Sequence, residues 1–102
     1  MDLLLDMIVR VSKITLLLPS RSLKEKRRIL KSVIERISNR FRVSIAEVGS
    51  NDIPETGVLG LAVVSTESRH AESLLDRSIS FLETSRPDVE ISRVESETIF
   101  GF

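Results

Sequence analysis

The chain has 102 residues, which suits one small domain, and its 41% hydrophobic and 29% charged residues match an ordinary soluble globular protein. It has no cysteine, so disulfide staples, thiolate chemistry and cysteine-ligated metal are excluded. Its net charge of zero hides a dipole: residues 1–45 carry eleven Lys/Arg against four Asp/Glu, and residues 46–102 carry four against eleven, leaving +7 and −7.

No segment approaches the roughly 20 apolar residues that span a bilayer. The opening MDLLLDM carries Asp2 and Asp6 and lacks a basic n-region and a cleavage site, so it is not read as a signal peptide. The expected location is the cytoplasm, with no membrane partner. One domain is expected over residues 1–102, with residues 1–6 a disordered or extra N-terminal extension of it.

IVRVSKITLLL, residues 8–18, is rich in β-branched and aliphatic residues and is closed by Pro19, so it predicts a strand. Ile14, Leu16 and Leu18 share one face. Alternation blurs around Val9, Val11 and Ser12, as a bulge or burial on both faces would produce. Ser22 with Glu25 three residues on has capping-box spacing. The helix that follows should run to about Arg40, with Leu23, Leu30, Val33, Ile34, Ile37 and Phe41 on one side.

VSIAEV, residues 43–48, predicts a second strand, and GSNDIPETG, residues 49–57, a loop. VLGLAVVS, residues 58–65, is apolar throughout and predicts a central third strand. Ser65 or Thr66 can cap a second helix with Glu67 near its start; Ala71, Leu74, Leu75, Ser78 and Leu82 line its buried side, and Arg86-Pro87-Asp88 ends it. VEISRVE, residues 89–95, predicts the last strand, followed by an apolar tail that includes Ile99, Phe100 and Phe102. The order β-α-β-β-α-β defines one α+β domain of the ferredoxin-like, split βαβ kind: a four-stranded antiparallel sheet with two helices on one face and the other face open.

Catalytic motifs are missing. His70 is the sole histidine and reads as a surface or boundary residue. No G-x-S-x-G, GxGxxG or Walker pattern occurs. Asp52 and Glu55 read as turn and solubility residues. No enzyme activity, metal site or cofactor is expected. The one hook for a small-ligand domain is the 49–57 loop.

The informative stretch is RSLKEKRRILKSVIERISNRFR, residues 21–42, with nine Lys/Arg and two Glu. At 100° per residue from Leu30, the cations Arg27, Lys31, Lys24 and Arg28 fall between about 60° and 160°, on one flank. Arg36, Arg40 and Lys26 fall on the other. Glu25 with Arg28, and Lys31 with Glu35, could pair for only tenths of a kcal/mol. A phosphate backbone is the natural counterpart of the first flank, giving salt-dependent binding with little sequence preference. The expected nucleic-acid-binding residues are Lys24, Arg27, Arg28, Lys31 and Arg21. Base stacking on the sheet is not expected: there is no Trp or Tyr, and Phe41, Phe81, Phe100 and Phe102 lie outside the predicted strands. The competing expectation is a self-associating interaction or regulatory module, a homodimer using the open sheet face and the apolar tail.

The run SLKEKRRILKSVIERISNRFRVSIAEV at 22–48, with VLGLAVVS at 58–65, AESLLDRSISFLE at 71–83 and PDVEI at 87–91, resembles the YlxP-like family of small bacterial proteins. That resemblance implies a ferredoxin-like domain of unestablished function whose gene often lies beside translation genes. A ribosomal RNA or ribosomal-subunit partner is what it implies, without assigned catalytic residues. The chain departs from the family in residues 1–6, in Arg10 where a small residue is common, and in the 49–57 loop, which is shorter than in many members.

Overall fold

The computed structural model describes residues 7–49 and 52–100, so residues 1–6, 101 and 102, including the expected extension and the end of the tail, lie outside the described residues. The elements are β1 Ile8–Leu17, α1 Leu23–Arg40, β2 Ser44–Gly49, β3 Thr56–Ser65, α2 Ser68–Ser85 and β4 Glu90–Phe100. They form one antiparallel sheet in the order β2-β3-β1-β4. The long first strand is therefore central, paired with β3 on one side and β4 on the other.

Helix α1 starts where its cap dictates. The Ser22 hydroxyl accepts a hydrogen bond from the Glu25 amide at 3.1 Å and donates to the Glu25 carboxylate at 3.3 Å. This satisfies one of the amides that a helix start leaves without a partner. Its apolar stripe then closes the core: Leu30, Val33 and Ile37 are buried against Ile14, Leu16, Leu18, Leu59 and Leu61. Ala71, Leu75 and Leu82 of α2 join the same cluster, which places both helices on one sheet face. Each large aliphatic side chain removed from water contributes roughly 1.5–3 kcal/mol. Gly57 permits the close approach of α1 to β3, since a Cβ there would lie 3.0 Å from Leu30 Cδ2 and 3.3 Å from Leu18 Cδ1.

Strand β1 explains its own blurred pattern. Ile14, Leu16 and Leu18 face the helices, but at the start of the strand that side carries Arg10 and Ser12. Both are paired with β4: Arg10 Nη1 donates to Thr98 Oγ1 at 2.7 Å, and the Ser12 and Ser96 hydroxyls are 2.8 Å apart. Arg10 also lies 3.8 Å from Glu72 of α2. Val9 and Val11 correspondingly turn to the open face. The irregularity in the β1–β4 ladder falls elsewhere, between Thr15 and Leu16.

Beyond one-residue shifts at the ends of β1 and β2 and the start of β4, three boundaries differ from the sequence-based expectation. Strand β4 continues to Phe100, because residues 96–100 pair with the first half of β1, from Ile8↔Phe100 to Ser12↔Ser96. Phe100 thus lies within a strand, at its outer end. Strand β3 begins at Thr56, so Gly57 belongs to the sheet. Helix α2 has Glu67 at its cap position with no side-chain cap bond. Ser65 is held in the ladder opposite Ile8, and its hydroxyl accepts from the Glu67 amide at 3.0 Å, closing the turn before the helix instead of capping it.

Candidate nucleic-acid interface

Because the apolar stripe of α1 is committed to the core, its cations are forced outward or along the flanks. Lys24, Arg27, Arg28 and Lys31 are all exposed, as is Arg21 just ahead of the cap. None of the five makes a side-chain hydrogen bond or ion pair among the described residues. The expected Glu25–Arg28 and Lys31–Glu35 pairs do not form; Glu25 is engaged by the Ser22 cap. By contrast, the cations that do pair are Lys26 of the same helix, with Glu47, and residues elsewhere: Arg10 with Glu72, Lys13 and Arg93 with Glu95, Arg86 with Asp88.

The second flank is not one surface. Lys26, expected among the flank cations, is only 2% exposed. Its Nζ donates to the Ile53 carbonyl at 2.9 Å and lies 3.8 Å from Glu47 Oε2. Its stem therefore packs inward while its head ties α1 to β2 and to the loop before β3. A helical wheel places this residue only about 40° from Leu30, so the geometry permits either outcome; the loop that covers it is what the wheel omits. Arg27 shares a groove of about 360 Å³ with Lys26, Glu47 and Asp52, so the cation cluster has an acidic border on that side.

The other two members of that flank face α2. Arg36 Nη1 donates to the Ser85 carbonyl at 3.2 Å. The Arg40 guanidinium carbon sits 4.8 Å over the Phe81 ring, which meets Phe41 edge-on at 5.6 Å between centroids. Arg40, Phe41 and Phe81, together with Arg42, His70 and Arg77, line a second, larger groove of about 690 Å³. The sequence reading missed it. The available signal was the stripe His70, Leu74, Arg77, Phe81, Thr84 along α2, spaced four, three, four and three. No group of three or more metal-ligating residues occurs among the described residues. No helix there is long and apolar enough to cross a membrane.

The fold is a ferredoxin-like α+β sandwich of one sheet and one helix layer. Within that class the chain belongs to the family described as "Protein of unknown function (DUF503)", which matches residues 9–96. It is 41% identical over 76 residues, covering 72% of this chain and 82% of the relative, to the "Uncharacterized protein YlxP" of Bacillus subtilis (strain 168). Among solved structures it resembles the de novo designed protein Foldit4, with TM-score 0.55 and 17% identity over 95% of this chain and 100% of that one. It also resembles an amidase of the hydantoinase/carbamoylase family from Burkholderia phymatum, with TM-score 0.56 and 12% identity, covering 94% of this chain and 28% of the amidase. At these identities the structural likeness establishes the fold alone.

Proposed function

We propose that this protein is a non-catalytic, RNA- or ribosome-associated accessory protein that holds a phosphate backbone through the first two turns of α1. The observation that carries the reading is the set Lys24, Arg27, Arg28 and Lys31, with Arg21 beside it, exposed and without an acidic partner among the described residues. Like charges gathered on one flank repel, and an anionic lattice relieves that repulsion while releasing its own counterions. Four phosphate contacts to a single strand give a slope of about −3 in log affinity against log salt. Retention on ribosomal RNA or subunits over a salt series tests the reading. The Lys24→Glu, Arg27→Glu, Arg28→Glu, Lys31→Glu variant should lose at least tenfold in retention at low salt. Unchanged retention, or none by the wild type, rejects the proposal.

A second reading rests on the open face of the sheet. Val9, Val11, Val64 and Ile99 gather there, with Val64 67% exposed and Ile99 50%. Such a patch fits a second copy of the chain, and the +7 and −7 halves add charge complementarity. Sedimentation at micromolar concentration should then show a dimer that Val64→Lys converts to a monomer. A wild type that sediments as a monomer removes this reading.

A further inference from the structure

The groove between the C-terminal end of α1 and α2 has a chemistry of its own. Arg40, Arg42 and Arg77 line it with His70, alongside the flat apolar surfaces of Phe41 and Phe81. Among the described residues no Asp or Glu lines it. A groove so furnished disfavours cations and favours an anion. Three guanidiniums, each a planar multi-donor fork, match phosphate better than a lone carboxylate.

The aromatic part is equally specific. Phe41 meets Phe81 at 66° between ring planes, and the Arg40 guanidinium lies 4.8 Å over Phe81. Nucleobases stack on aromatic rings and on guanidinium groups, and this groove offers both kinds of surface. The groove is open to solvent, and its volume of about 690 Å³ is large enough to seat a small ligand. We infer that this groove binds one nucleotide unit, its base layered on the Arg40–Phe81 pair and its phosphate held by Arg42 and Arg77. A free nucleoside monophosphate and an unpaired nucleotide of a strand present the same chemistry. The site is separate from the Lys24–Lys31 flank and does not depend on the reading given to that flank.

The test is amide-resolved NMR with calorimetry, using AMP, adenosine, inorganic phosphate and hexa-adenylate as probes. AMP or hexa-adenylate should shift the amides of His70, Arg77 and Phe81. Adenosine and phosphate alone should each bind at least tenfold more weakly. A response to AMP assigns the site to free nucleotides, and a response to hexa-adenylate alone assigns it to a strand. Arg77→Gln, at an exposed position, should weaken binding at least fivefold. Phe81→Leu should weaken AMP but not phosphate. The shifts should persist in the four-site α1 charge-reversal protein, which separates this site from the helix flank. The inference is overturned if neither nucleotide shifts these amides, if phosphate binds as tightly as AMP, or if Arg77→Gln and Arg42→Gln both bind like the wild type.

Discussion

Two kinds of cation occupy the first two turns of α1. Lys26 is buried, with its ammonium on a carbonyl of the loop before β3 and near Glu47 of β2. Lys24, Arg27, Arg28 and Lys31 stand in water on the adjoining flank. The residue types are the same and the neighbours in sequence are immediate; the surroundings differ. A desolvated ammonium is tolerated only where oxygen ligands replace its water, so it specifies the position of whatever carries them. Solvated cations specify nothing inside the fold and are available to an outside anion. The comparison teaches that the positive charge of this helix divides into a buried structural part and an exposed part, the one proposed to hold phosphate, and that each must be tested with a different readout.

The largest expected effect lies on the buried side. Lys26→Ala removes the stem from a packed position and leaves the Ile53 carbonyl without that donor, so it should cost about 2–4 kcal/mol in unfolding free energy. Lys26→Met keeps the stem and should recover part of that loss. Chemical denaturation measures both. A cost for Lys26→Ala no greater than that of Arg27→Ala would collapse the distinction. The four-site charge reversal on the flank should move stability by about 1 kcal/mol or less while lowering RNA retention at least tenfold, if the proposed reading holds. Its failure to fold would instead mark the flank as structural.

How far the sequence foretold this division can be judged from particular residues. The cap at Ser22, the stripe from Leu30 to Ile37 and the exposed cations follow from a 3.6-residue period, which is a local property. Their structural counterparts agree because α1 has no Gly or Pro to disturb it. Lys26 was not legible, because its burial depends on a loop almost thirty residues away. The extension of β4 was hidden for a related reason. The added residues 96–100, SETIF, have no alternating apolar face, and their register is marked by hydroxyl and guanidinium partners on β1, Ser12 and Arg10. The α1–α2 groove required knowing which faces of two helices meet. Local periodicity reveals elements; contacts between elements decide what their polar residues do.

The smallest effect tests the middle ground between the two kinds of cation. Arg86 and Asp88 form a two-bond pair, Nε to Oδ1 at 2.9 Å and Nη2 to Oδ2 at 2.8 Å, at the exit from α2. The geometry is as tight as any ion pair described in the fold, but the Asp88 side chain is 47% exposed. The hydrogen bond from Arg86, reinforced by its charge, holds the Asp88 carboxyl below the usual carboxylate range, while the bond to Asp88 raises the Arg86 pKa. A carboxyl whose pKa is lower in the folded state than in the unfolded chain adds stability above the unfolded value. That stability drains away as pH falls through the folded value. For Asp88 the loss begins near the ordinary aspartate pKa of about 3.9 and is complete below its depressed value. The Arg86 shift acts only at extreme alkaline pH. Solvent screening keeps the whole contribution within about 0–1 kcal/mol at neutral pH. Asp88→Asn should therefore lower the denaturation midpoint slightly at pH 7, and the gap to the wild type should close in acid. A cost approaching that of Lys26→Ala would mean that bond geometry, not removal from water, sets what a charged group is worth in this fold.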